Sequence, residues 1–445
     1  MRRPFPIFSS RRAFLAAAVL LFLVLAPLAV FYTAGYRWNP KKGMIERNGT
    51  LILDSVPAGA TIFLNGQAIE ERTPVTLQRV TPGTYQVRLE LDGHAPWEKT
   101  LDVRSERVTF ATGVHLWPMA APGLVREGLV RGASLAPDGE TWAIVEETAG
   151  DVQLILTPLP ASGAGEGTIF RFDSGAVPQG ALQFLWDEAS ANVVVQDKDG
   201  QSWFAGLAGD TRMATLLPAG VYRWNEELLL GVRDGQQFEY TPREGRIRQT
   251  PFPVGVRDTQ GDFSVVAAAG GGLAVVPTHT PERQFVLPPG GWIFAEPFED
   301  YLFLRREGML DGRENWFGFR PDEAARTSIA LSSDAPPQRL MRKEGPSLLA
   351  YAGGEVWMAM LGEVPQLLFR GGETVRGAAW HPDGTSIFYA LKTGVSVIEL
   401  DPRGGRYQQS LMAFSDIRGI TIFGETLYVV GAHEGKEGIW SMLLE

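Results

Sequence analysis

Enzyme chemistry needs nucleophiles, bases or metal ligands held at short range, so the reactive side chains of this 445-residue chain come first. The five histidines, His94, His115, His279, His381 and His433, are scattered, and no H-E-x-x-H or H-x-H pairing is present to seat a zinc ion. No G-x-S-x-G nucleophile elbow occurs. The chain has no cysteine, which removes disulfides, thiolate metal sites and thiol nucleophiles together. Asp197-Lys198-Asp199-Gly200 has the start of a calcium loop but lacks the later oxygen ligands and the closing glutamate, so it reads as a solvated hairpin turn. Gly270-Gly271-Gly272 sits between strand-like residues and reads as another turn. Gly163-Ala164-Gly165-Glu166-Gly167 reads as a flexible loop, and neither glycine run opens a helix that would hold phosphate. Carboxylates remain. Two of them ~5–10 Å apart would make a glycosidase pair, a distance that spacing along the chain does not decide. The sequence therefore assigns no catalytic, cofactor-binding or metal residues and no cofactor.

The elements that would position any site begin with Ala13–Tyr32, twenty uncharged residues. At ~1.5 Å per residue a helix of that length spans about 30 Å, one hydrocarbon core. Arg2, Arg3, Arg11 and Arg12 precede the run, while Arg37, Lys41 and Lys42 follow it. The short basic N-terminus favours N-in, C-out. Pro27 is tolerable in a membrane helix, and Tyr32, Tyr36 and Trp38 fall where an interfacial aromatic belt belongs. A cleaved secretory signal is the competing reading, opposed by bulky Tyr32 near the end of the apolar core. Ser10-Arg11-Arg12-Ala13-Phe14-Leu15 also resembles a twin-arginine export core. Each reading places the bulk of the chain outside the cytoplasm. The expectation is a single-pass cell-membrane protein with a cytoplasmic N-terminus (1–12), a transmembrane helix (13–32) and a connector (33–48).

Composition sets the fold class. Fifty-one glycines and thirty prolines punctuate short apolar runs, the pattern of an all-β chain. Residues 1–42 hold seven basic and no acidic side chains, which leaves 34 basic against 51 acidic in the remainder, a net −17. Such an exterior argues against a nucleic-acid partner and keeps the soluble part off anionic lipid.

Beyond a connector at Gly43–Arg47, strand-like segments recur at Thr50–Ser55, Thr61–Leu64, Tyr85–Leu91 and Val108–His115, with turns at Pro57-Ala58-Gly59, Asn65-Gly66, Pro82-Gly83 and Asp92-Gly93. The ordered blocks Val56-Pro57-Ala58-Gly59-Ala60, Ile62-Phe63-Leu64-Asn65-Gly66, Thr73-Pro74, Val80-Thr81-Pro82-Gly83-Thr84-Tyr85 and Gly93-His94-Ala95-Pro96-Trp97 resemble a PEGA domain, over 49–118. Pro-Ala-Gly-Ala replaces the name-giving Pro-Glu-Gly-Ala and keeps its turn residues. Tyr32-Thr33-Ala34-Gly35-Tyr36-Arg37 looks like the anchor-to-domain junction of tethered proteins of this kind. The resemblance implies a small β-module for binding or spacing, without chemistry. Trp97 is expected to close its core and His94 to lie in a turn.

In 123–445 two stretches repeat, Leu135-Ala136-Pro137-Asp138-Gly139-Glu140-Thr141-Trp142-Ala143 and Trp380-His381-Pro382-Asp383-Gly384-Thr385-Ser386-Ile387-Phe388. They resemble the blade motif of TolB-like, WD-repeat-like β-propellers. Six steps between them give ~41 residues each, within blade length. Strand pairs read between them are Leu182–Trp186 with Asn192–Gln196, Val221–Trp224 with Leu228–Val232, Phe263–Ala267 with Leu273–Val276, Trp292–Ala295 with Tyr301–Leu304, and Leu348–Tyr351 with Val356–Met360. After the second motif, Ile417–Phe423, Thr426–Val430 and Gly438–Leu443 leave the last blade one strand short, and Pro122–Glu127 is expected to complete it. Eight blades are favoured, seven the alternative. The dispersed tryptophans are expected to pack between sheets.

The functional expectation is a membrane-anchored extracytoplasmic binding or scaffold protein of the cell envelope, whose propeller binds protein, peptide or cell-wall glycan. The alternative is an exported propeller enzyme, a glycan hydrolase or lyase. Converging carboxylates with displaced pKa values in the channel would favour the enzyme. An apolar or closed channel with an aromatic rim would favour the binder.

Overall fold

The computed structural model describes residues 10–33, 36–39, 44–158, 167–172, 177–180, 182–207, 212–233, 235–268, 270–307, 313–323 and 328–444. Arg2, Arg3, Lys41, Lys42 and the glycine-rich residues 163–166 lie outside them. The apolar run forms one helix, Ser10–Thr33, with Pro27 inside it. From Phe14 on, its large apolar side chains are exposed on every side. A helix hydrophobic all round has no aqueous face, and this one is long enough to cross a bilayer.

The remaining architecture is β-structure in two compact units: Met1–Met119 with Asp401–Tyr407 and Glu445, and Ala120–Leu400 with Gln408–Leu444. In the first, Tyr36–Asn39 and Met44–Arg47 pair as an antiparallel hairpin. Gly43–Arg47 is therefore not the plain connector that its composition suggested. Tyr36 and Trp38 suit an interfacial belt as well as a strand; the pairing comes from the returning chain, and the Arg47 guanidinium sits 4.9 Å over the Tyr36 ring.

Two sheets follow. Gly49–Val56 lies between Val75–Val80 (antiparallel) and Val108–His115 (parallel). The second sheet runs Gln67–Arg72, Thr61–Leu64, Gly83–Glu90, Trp97–Val103. Strict alternation of burial in Gly49–Val56 and Trp97–Val103 turns one face of each inward. Leu51, Leu53, Ile62, Val87, Leu89 and Trp97 fill the space between. Trp97 closes this core, as expected. The Asn65-Gly66 turn takes positive φ at both residues (50° and 81°), the backbone that only such a pair adopts cheaply. Lys99 is an inward position occupied by a cation. Its ammonium donates to the Asp401 carbonyl at 2.9 Å and faces the Asp401 carboxylate at 3.3 Å.

Among the described residues of the second unit the strands form eight four-stranded groups in chain order. Seven are consecutive meanders within 129–172, 182–216, 221–251, 256–286, 292–333, 338–370 and 377–413. The first two share one sheet through a two-residue parallel pairing, Arg171↔Met213 and Phe172↔Ala214. The eighth combines Asp416–Phe423, Thr426–His433 and Lys436–Leu443 with Gly123–Glu127 from the start of the unit. The strand that was missing from the end of the chain is thus supplied by its beginning.

The first strands of successive groups meet in a closed cycle. Leu129–Leu135 packs on Leu182–Trp186, Val256–Gln260 on Trp292–Phe294, Gln338–Arg342 on Gly377–Trp380, Gly377–Trp380 on Asp416–Phe423, and Asp416–Phe423 back on Leu129–Leu135. Three polar links complete the circuit. The Trp224 indole donates to Leu185 O at 3.1 Å, Arg223 pairs with Asp258, and Arg339 donates to Glu296 O at 2.7 Å. Sheets that meander in order and close on their own first strand make a β-propeller. Closure removes the edges that an open stack would leave unpaired.

The Pro-Asp-Gly stretches fall in the first and seventh groups and have one geometry. Gly139 donates to Ala136 O and Gly384 to His381 O, both at 2.9 Å, and each glycine has φ 70°. The Asp138 and Asp383 carboxylates each accept a backbone N–H two residues on, at 2.8 Å. The glycine has a second reason to be there. A Cβ on Gly139 would fall 1.7 Å from the Phe423 ring, and one on Gly384 would fall 2.9 Å from Arg342 Cγ. Each turn therefore presses against the first strand of the preceding group. Gly384→Ala is expected to destabilise the chain by about 1–2 kcal/mol from backbone handedness alone. Chemical unfolding would check this; an unchanged midpoint would contradict it.

Candidate functional site

The closed cycle encloses two connected cavities of about 1340 and 340 Å³. Both are lined by Gln183, Phe184, Gln196, Val221, Arg305 and Pro336, so they are the wide and narrow parts of one channel. The wide part lies at the beginnings of the first strands, reached by Arg131, Leu182, Arg376 and Arg418. The narrow part lies farther along them, reached by Trp186, Arg223, Phe294 and Glu296.

Most carboxylates on the wide part are already engaged. Glu314 is buried and takes three donors: Arg305 at 2.6 Å, Gln183 at 2.8 Å and the Trp316 indole at 3.2 Å. Asp197 accepts from the backbone N–H groups of Gln179, Asp199 and Gln201, which makes Asp197–Gly200 a hairpin turn between two strands. Asp334 accepts from Gly353 N–H at 2.6 Å, and Asp416 faces Arg418 at 3.5 Å. Cations on the same wall include Arg131, Arg305 and Arg418, paired with Glu147, Glu314 and Glu437. Arg306 and Arg376 also line it, and neither has a carboxylate partner among the described residues.

The narrow part is different. Phe184, Trp186, Tyr222, Phe294 and Trp316 wall it, and their polar tips turn away: the Trp186 indole donates to Ser134 Oγ and the Tyr222 hydroxyl to Pro218 O. Glu296 and Arg339 face each other there at 3.6 Å. Arg339 is held by Glu296 O and Pro297 O and lies 5.6 Å over the Phe303 ring. Burial pushes the Glu296 carboxyl above its ordinary range; Arg339 opposes this, and the charge of exposed Glu188 adds to it. Burial likewise lowers the Arg339 guanidinium. A carboxyl raised by folding binds its proton more tightly in the folded chain. Stability then declines as pH rises from the unfolded value, about 4.3, through the folded one. Glu296→Gln is expected to remove that decline, so that its stability relative to the parent improves from pH 4 to pH 7. Unfolding midpoints across that range would show it, and parallel pH profiles would contradict it.

Beside the narrow part, Arg223 and Asp258 form a buried two-point pair at 2.7 and 2.8 Å. Arg223 also donates to the carbonyls of Phe294 and Thr259, and Asp258 accepts from the N–H groups of Phe294 and Thr259. One ion pair thereby pins three successive groups around the channel. Sequence reasoning missed it, although Arg223 between Tyr222 and Trp224 in an apolar strand was a signal that a cation is buried there. It also missed Glu296, Arg339 and the arginines of the wide part.

Four of the five histidines, His94, His279, His381 and His433, have local roles. His94 Nδ1 lies 2.9 Å from Asp92 O in a turn, and His279 is exposed near Asp262. The buried His381 holds Asp383 of its own motif turn at 2.7 Å. His433 packs on the Phe414 and Trp440 rings. Most of the dispersed tryptophans are buried between sheets, as expected; Trp186 and Trp316 also reach the narrow cavity.

The family model described as the PEGA domain matches residues 48–114. No curated protein sequence matches the chain. Among solved structures, the Dos1 propeller is similar at 12% identity and a TM-score of 0.46, covering 73% of this chain and 94% of that one. U3-55K is similar at 12% identity and 0.42, covering 73% and 98%. The β-propeller domain of Cps50 (Swd1) from Myceliophteria thermophila is similar at 11% and 0.42, covering 72% and 100%. The propeller assignment rests on the strand order and the closed cycle described above.

Proposed function

We propose that this chain is a membrane-tethered binding scaffold that presents an eight-bladed propeller, one blade per four-stranded group, on the outer face of the cell membrane. Ser10–Thr33 is the anchor, the PEGA module is the spacer, and the propeller channel receives a protein or another envelope component. PEGA modules are small β-folds of surface proteins, which supports the outward orientation. One observation carries the binding reading. The channel is neither apolar nor closed, as a binder's was expected to be, and is walled by side chains from several groups, yet most carboxylates of its wide part are already spent on guanidinium or backbone donors. Such a channel offers recognition surface rather than free acid and base.

One observation favours the enzyme reading. Glu296 sits in an aromatic pocket with its carboxyl pushed up by burial and Glu188 close enough to feel, as a general acid beside a second carboxylate would be. The readings separate by experiment. A photo-crosslinking residue in place of Val221, in the full chain in its own membranes, is expected to capture a partner, and Glu296→Gln is expected to leave capture intact. Release of shortened glycans that stops in Glu296→Gln would replace the binding reading with the enzymatic one. Recovery of the soluble part from culture medium, cleaved after the helix, would refute the tether.

A further inference from the structure

We propose that the wide part of the channel docks an acidic peptide segment of a partner protein, through Arg306 and Arg376. This rests on the binding reading above and names the chemistry of what binds. Arg306 ends a strand of the fifth group and Arg376 precedes the first strand of the seventh, yet both reach the same cavity. Neighbouring cations on that wall are neutralised: Arg131 by Glu147 at 2.8 Å, Arg305 by Glu314 at 2.6 Å and Arg418 by Glu437 at 2.7 Å. Arg306 and Arg376 have no such carboxylate among the described residues, so two guanidinium forks are left to bind carboxylates from outside.

Their setting sharpens the choice. Outside residues 1–42 the chain carries 34 basic and 51 acidic side chains. An acidic segment is therefore repelled from most of the surface and drawn only where positive charge is uncompensated in a cleft. The cavity, at about 1340 Å³, exceeds the usual small-ligand range of about 300–1,000 Å³ and suits a length of chain. Part-exposed Leu182, Phe184, Val221 and Ile420 stand on the same wall. A polyphosphate would leave these apolar groups uncovered, whereas a peptide alternating acidic and apolar side chains uses both kinds of surface.

The test is selection from a random dodecamer library displayed on phage, panned on the detergent-solubilised full chain. The expected result is enrichment of Asp and Glu beside apolar residues. The best peptide, made synthetically and labelled, should bind at least tenfold more weakly to the double variant R306Q/R376Q. Its binding should also weaken several-fold between 0.05 and 0.3 M salt, as exposed charge pairs are screened. R306K/R376K should restore part of the affinity, keeping the charge without the fork. Because neither arginine has a carboxylate partner to lose among the described residues, the variants should unfold at the parent's midpoint, which separates lost recognition from lost fold. Several outcomes would overturn the proposal: no selected peptides, selected peptides without acidic enrichment, equal affinity for R306Q/R376Q, or tighter binding of tripolyphosphate than of any peptide. Peptides bound independently of both arginines would sink this inference while leaving the binding reading intact. Failure of membrane crosslinking would sink that reading itself.

Discussion

Asp258→Ala is expected to destabilise the propeller by about 3–5 kcal/mol, the cost of leaving a buried guanidinium without its counter-charge. Asp258 has no exposed surface and Arg223 only 5%. The aspartate also takes the N–H groups of Phe294 and Thr259, so its loss strands one donor on its own strand and one on Trp292–Phe294. The paired apolar replacement Arg223→Met with Asp258→Leu should cost less than the single change, because both charges then leave together; the Phe294 and Thr259 N–H groups still lose their acceptor, at about 1–3 kcal/mol each. Denaturant midpoints of the full chain would order the three proteins. A single variant as stable as the parent would show that this pair does not hold the three groups together.

Gly438→Val is expected to unlatch the ring. A Cβ at this position would lie 2.1 Å from the carbonyl oxygen of Arg126, on the strand that completes the last group. That strand pairs Gly123↔Ser441, Leu124↔Trp440, Arg126↔Ile439 and Glu127↔Gly438, with a bulge at Val125. Backbone cannot yield as a side-chain tip can, so the strand must move away. The loss should be about 3 kcal/mol, the upper end of overpacking. Hydrogen exchange localises it: amides of 123–127 should exchange much faster, while those of Gly49–Val56 in the first unit stay protected. Unchanged protection at 123–127 would mean that the closing strand is not what holds the cycle shut.

How much of this was legible follows from how local each signal is. Alternating residues and turn pairs such as Asn65-Gly66 are local, and the strands read from them lie where the structure has them. The repeat of Pro-Asp-Gly at 137–139 and 382–384 marked equivalent turns because a bend and a positive φ are properties of adjacent residues. Even the closing strand could be inferred, by counting strands in the last group. The site is another matter. Arg223 and Asp258 are 35 residues apart and Arg339 and Glu296 43, so their pairing depends on how successive groups stack. Arginines on a strand face look alike in sequence whether paired or not, and only the ion pairs of the folded chain distinguish Arg131 and Arg418, which have carboxylate partners, from Arg306 and Arg376 on the same wall. The hairpin at Tyr36–Asn39 escaped notice because Tyr36 and Trp38 fit an interfacial aromatic belt as well as a strand.

The most direct test of an outward-facing tethered propeller uses a gap in its composition. The chain has no cysteine, so a single introduced thiol reports on one place only. Glu244, in an exposed turn of the third group, is replaced by cysteine in one version, and Ser9, ahead of the helix, in another. Intact cells are then treated with a membrane-impermeant maleimide. Labelling of Glu244→Cys without lysis, with Ser9→Cys labelled only after lysis, is the predicted result. The opposite pattern, or labelled protein released from the membrane fraction, would contradict it.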